Sequence, residues 1–152
     1  MKLEMKKMGD DNVKKILFIM ILLFGVIGFS AAGSYEAALI KRMEVLQKEV
    51  QAGLDSGVTA EMKNATFKLQ KAWDEELNKV YKLIIAKASK SEKEKLLNTQ
   101  RAWIKKKEKA ASEAAKKFEG GTFESLIYSQ TELKFTEKRT IELARLYDSM
   151  RK

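Results

Sequence analysis

An apolar side chain recurs every three or four residues from Met62 to Ala88, and this constrains the fold more than anything else in the sequence. The positions are Met62, Ala65, Leu69, Trp73, Leu77, Val80, Ile84 and Ala88, in steps of 3, 4, 4, 4, 3, 4 and 4. An α-helix turns once every 3.6 residues, so all of them share one face. A half-buried strand would alternate every second residue instead. The 152 residues contain no proline, so nothing in the chain forbids long uninterrupted helices.

The same period appears on either side. Ser34 predicts an N-cap, followed by Tyr35, Leu39, Met43, Leu46, Val50 and Leu54 on one face and a break at Asp55-Ser56-Gly57. Thr59 is the expected cap of the Met62–Ala88 helix. Ser91-Glu92-Lys93-Glu94 has the spacing of a capping box and predicts the start of a third helix. Leu97, Ile104, Ala111 and Phe118 repeat there every seven residues, with Leu96, Trp103 and Ala110 beside them. Gly120-Gly121 supplies a stop, and Thr122 predicts the cap of a fourth helix carrying Leu126, Leu133, Thr140 and Tyr147, thickened by Leu143, Leu146 and Met150. No strand pattern of useful length occurs. Amphipathic helices of this kind bury their faces against one another, so the expected fold is all-α: a small antiparallel bundle of three to four helices.

The first 32 residues read as an address. Five lysines stand among Met1–Lys15, before an uncharged run from Ile16 to Phe29. That run falls short of the roughly 20 residues a membrane-spanning helix needs, and it has the length of a secretory h-region. Ser30-Ala31-Ala32 then places small residues for a cut before Gly33. The expectation is a signal peptide over 1–32 and an exported protein, periplasmic or extracellular; an uncut leader would make it a membrane tether. No cysteine follows the run, which excludes a lipoprotein.

Composition removes whole classes of chemistry. The chain has no His and no Cys. That excludes a Ser–His–Asp hydrolase, thiolate chemistry, disulfides and most zinc sites. No paired carboxylates stand out as an acid–base couple and no Gly-rich phosphate loop is present. The expectation is a protein that is not an enzyme, with no cofactor, no metal and no small-molecule substrate. The formal charge is +9, from 30 Lys and Arg against 21 Asp and Glu. Removing residues 1–32 takes away five lysines and three acids and leaves +7. Export makes nucleic acid an unsuitable partner for that charge. Arg101, Lys105, Lys109 and Lys116 share one side of the third helix, where they could meet an anionic envelope surface, a phospholipid membrane or a wall polymer. The alternative is a solvated helix face with Glu108 and Glu113 interleaved.

Several polar residues sit on apolar faces. Gln100 lies among Leu96, Leu97, Trp103 and Ile104, and Lys107 among Trp103, Ile104, Ala110 and Ala111. A buried amide needs a partner, so a bond to another helix is expected. Asp74, Asn78 and Tyr81 form a ridge at i, i+4 and i+7, and Arg139 lies between Phe135 and Leu143. The expected arrangement is one inter-helix network of Asp74, Asn78, Gln100 and Arg139, with Lys107 as a further member. Its simplest role is to fix helix register.

These residues also form an ordered set of motifs: Asp74-x-x-Leu77-Asn78-x-x-Tyr81, Leu96-x-x-x-Gln100-Arg101-x-Trp103-Ile104, Glu119-Gly120-Gly121-Thr122 and Thr136-x-x-Arg139-Thr140-x-x-Leu143. The set, over about residues 58–148, resembles the LprI-type lysozyme inhibitor N-terminal domain family of small exported helical bacterial proteins. The resemblance implies a domain over 58–150, preceded by a more variable helix over 33–57, and a lysozyme-type protein as partner. It implies mainly structural roles for Asp74, Leu77, Asn78, Tyr81, Gln100, Trp103, Gly120, Gly121, Thr136 and Arg139. Arg101, Lys105, Lys109 and Glu124 are the candidate partner contacts. The family's helices are stapled by cysteines, whose places here fall near Gly53, at Ala65, at Ala111 and near Thr131. This chain must hold together by packing alone. A charge of +7 would also repel the basic animal lysozymes at long range, so docking would need a local acidic patch, for which Glu124 and Glu132 on the fourth helix are candidates.

Overall fold

The computed structural model describes residues 34–151; the leader expected over 1–32 lies outside them. Four helices follow in order: α1 (Tyr35–Asp55), α2 (Thr59–Lys87), α3 (Lys90–Lys116) and α4 (Glu124–Ser149). No strand occurs among the described residues. None of these helices is long and apolar enough to cross a membrane.

The stripe from Met62 to Ala88 is buried along its whole length. It faces α4 and α1, which contribute Leu143 and Ala144, and Leu39, Met43 and Val50, to one core. Successive helices run up, down, up, down, so α2 and α4 lie parallel at the centre. The cross-links show it: Gln70 of α2 meets Glu132 of α4 near one end, while the start of α1 meets Asp148 at the other. α1 fills the groove on one side of this pair and touches both members. α3 lies on the other side and leans chiefly on α4. Among the described residues, the core is drawn from residues 35–150, within one compact unit.

The ends of α1 and α4 are clasped. The Tyr35 and Glu36 amides donate to the Asp148 carboxylate at 2.8 and 3.0 Å, supplying an acceptor for otherwise orphaned helix-start donors. Arg145 donates to Glu36 at 2.9 Å, and the Tyr35 and Tyr147 rings meet edge to face at 5.3 Å. Ser34 caps α1 as expected, its hydroxyl accepting from the Ala37 amide at 3.1 Å.

Other boundaries differ from the sequence reading. The N-cap of α2 is Val58, without a side-chain bond, and Thr59 is already helical. The capping box of α3 sits two residues earlier, where the Ser89 hydroxyl accepts from Glu92 N–H and the Glu92 carboxylate accepts from Ser89 N–H. Both serines have a Glu three residues on; the chain uses the one next to the turn. α4 begins after Phe123 rather than at a Thr122 cap. Gly120, at φ 73°, makes the turn before it, and its N–H donates to Glu124 at 2.9 Å.

The face of α3 is also rotated from the expected one. Leu96, Gln100, Ala111 and Ala115 are buried, with Trp103 and Lys107 half-buried, whereas Leu97 and Ile104 are 41 % and 42 % exposed. Leu146 of α4 is exposed as well. Where α1 and α2 cross, a Cβ on Gly53 would lie 3.2 Å from that of Ala65. Small side chains let α1 and α2 approach closely there.

Candidate functional site

The motif residues converge where α2, α3 and α4 meet. Arg139 of α4 reaches α3, its Nε donating to Gln100 Oε1 at 2.6 Å and its Nη2 to Thr99 Oγ1 at 3.2 Å. Glu142, one turn on, accepts from its Nη1 at 3.1 Å. Gln100 therefore has the partner on another helix that its place on the buried face demanded.

A second cluster lies two turns away. Lys107 Nζ stands 3.1 Å from Glu132 Oε1, with both side chains largely shielded. The same ammonium lies 5.4 Å from the centre of the Trp103 ring. Gln70 of α2 donates to Glu132 Oε2 at 3.3 Å. Asp74, one turn further along α2, is held by the same surroundings. Burial pushes its carboxyl above the usual range, the Lys107 charge draws it back, and the Glu132 charge adds to the rise.

The expected single network is therefore two. Gln100 pairs with Arg139, while Asp74 belongs with Lys107 and Glu132. Asn78 is exposed and its side chain makes no hydrogen bond among the described residues. Glu132, expected only as an acidic docking residue, and Gln70 are members the expected network lacks, although one signal for Glu132 exists. Gln100 and Lys107 are seven residues apart, and so are Glu132 and Arg139; two antiparallel helices bring such pairs together in reverse order. Thr136 lies between Glu132 and Arg139, fully buried, its hydroxyl donating to the Glu132 carbonyl at 2.9 Å. Leu77 is in the core and Tyr81 packs against it. Gly121 N–H closes the α3–α4 turn by donating to the Phe118 carbonyl at 2.9 Å.

The candidate contact residues are dispersed. Arg101 and Lys105 are exposed and without an ion pair among the described residues, and Lys109 stands 3.8 Å from Glu113. Glu124 is engaged by the Gly120 amide. The sequence reading missed Phe67, a residue 67 % exposed. It sits off the apolar stripe of α2 and lines a shallow concavity with Gln70, Lys71, Asp74, Glu75 and Asn78. That position off the stripe was the available signal.

The arrangement can lock register and present surfaces. Lys107 is tied up in an ion pair. A family model, described as lysozyme inhibitor LprI, matches residues 51–143. The chain belongs to that family. The match takes in the end of α1, all of α2 and α3 and most of α4, and so contains both polar clusters. No curated protein and no solved structure matches the chain.

Proposed function

We propose that this LprI-family protein is an exported envelope protein that binds a lysozyme-type partner and acts by steric occupation, without chemistry of its own. The family match over residues 51–143 carries the reading. A rigid helical surface supports it, because two polar clusters fix α3 and α2 against α4. The docking face we assign is the concavity on α2. Phe67 is an exposed aromatic anchor, and Asp74 and Glu75 beside it have the sign that a basic partner requires. The strip Arg101, Lys105 and Lys109 has the wrong sign for that role.

The test is a turbidity assay of lysozyme on bacterial cell walls with residues 33–152, at two salt concentrations. Dose-dependent, salt-tolerant protection is expected. Phe67→Ser is expected to weaken it at least about tenfold with an unchanged melting temperature. Absence of protection at large molar excess would overturn the reading.

A further inference from the structure

The basic charge of this protein is concentrated in one helix. α3 carries nine Lys or Arg against four Glu, a net of +5. The remaining described residues carry 15 against 14, a net of +1. α3 is also the helix that leans chiefly on one neighbour, so most of its circumference faces solvent. Of its acids, Glu92 is consumed by the Ser89 cap and Glu113 stands beside Lys109. Arg101, Lys105 and Lys106 have no ion pair within 4 Å among the described residues.

The second observation is apolar. Leu97, Arg101, Ile104 and Lys105 fall at i, i+4, i+7 and i+8 and share one side of α3. Leu97 and Ile104 are 41 % and 42 % exposed, although the buried face of this helix accommodates Gln100 and Lys107. Two aliphatic side chains flanked by unpaired cations on a solvent-facing helix form the pattern of an interfacial surface.

We propose that α3 docks on an anionic lipid surface, with Arg101 and Lys105 at phosphate groups and Leu97 and Ile104 entering the headgroup boundary. Charge complementarity selects an anionic partner, and the exposed aliphatics select lipid over a soluble polyanion, which offers nothing apolar to cover them. The assignment is independent of the lysozyme reading, which uses α2.

The experiment is co-sedimentation of residues 33–152 with vesicles of phosphatidylglycerol and phosphatidylcholine at 0.1 M salt. Vesicles of phosphatidylcholine alone and soluble polyphosphate serve as comparisons. Binding to the anionic vesicles and not to the neutral ones is expected. Each cation near the surface contributes about 1 kcal/mol, or about fivefold, so Arg101→Gln with Lys105→Gln should lower partitioning about 25-fold. Leu97→Ser with Ile104→Ser should lower vesicle binding several-fold and leave polyphosphate binding unchanged. All four positions are exposed, and circular dichroism should report unchanged helicity. Absence of binding to the anionic vesicles overturns the proposal. So does vesicle binding that ignores Leu97 and Ile104, which would make the ligand a charged polymer, or that ignores Arg101 and Lys105, which would place the contact elsewhere.

Discussion

α1 and α3 flank the same central pair of helices, and they are held there by different means. α1 gives Leu39, Met43 and Val50 to the core and fills a groove between α2 and α4. α3 buries Leu96, Ala111 and Ala115 and packs Trp103 against the core, and its contact with α4 also rests on polar pairs: Arg139 to Gln100, and Lys107 to Glu132. Apolar burial contributes free energy roughly in proportion to area. Paired charges and amides contribute far less net stability, yet they cost much when one partner is removed. α1 is therefore the better-anchored flank, and α3 the one whose position is specified more than it is stabilised.

The sharpest way to break this comparison is to hollow out both flanks. Leu39, fully buried, should cost about 2–5 kcal/mol when changed to Ala; Leu96→Ala should cost about 2 kcal/mol or less, since that site can collapse toward solvent. Denaturant unfolding of the two variants would reverse the argument if Leu96 proved the more expensive. Next in size is Gln100→Ala, which removes the acceptor of Arg139 Nε and should cost about 1–3 kcal/mol. A neutral result, from the same unfolding measurement, would mean that water replaces the amide and that α3 needs no register device.

The smallest expected effect concerns the α1 side. Glu76 is buried, which pushes its carboxyl up, but hydrogen bonds and charges from Arg42 and Lys79 outweigh this and hold it below its ordinary 4.5. A folded-state value below the unfolded one means stabilisation that is present above pH 4.5 and lost as pH falls through the folded value. Both cationic partners are about half exposed, so solvent screening keeps the contribution near about 1 kcal/mol. Glu76→Gln should thus lower stability at pH 7 and converge on the parent protein in acid. Equal stability of the two proteins at pH 7 would show that the pairs on this side add nothing to apolar packing.

The two flanks were also unequally legible in the sequence. For α1 and α2, a long stripe of large apolar residues leaves one face to choose, and the structure buries it. α3 offers two stripes a single residue apart: Leu97, Ile104 and Ala111, or Leu96, Trp103 and Ala110. Hydropathy favours the aliphatic one. What decides is pairing: the face that turns inward is the one that lets Gln100 and Lys107 reach Arg139 and Glu132. That information sits on another helix and is invisible to periodicity along one. The caps were misplaced for a related reason, since Ser89 and Ser91 satisfy the same local rule and only the position of the turn distinguishes them. The place of Phe67 off the stripe of α2 is legible, but the concavity around it depends on which surfaces the packing leaves uncovered, and no residue pattern in α2 records that.

The clasp between Asp148 and the start of α1 has a topological consequence. The first and last turns of the bundle lie within hydrogen-bond distance, so the four helices form an almost closed ring, strung by three short connections and one noncovalent one. In such a ring the place where the chain is cut is nearly arbitrary. A permuted chain opened at the Gly57 turn, with residues 34 and 150 joined through a few glycines, would thread the same core in a different order. A pull on residue 34 would likewise load the last turn of α4 through the Asp148 clasp before α1 could peel away turn by turn.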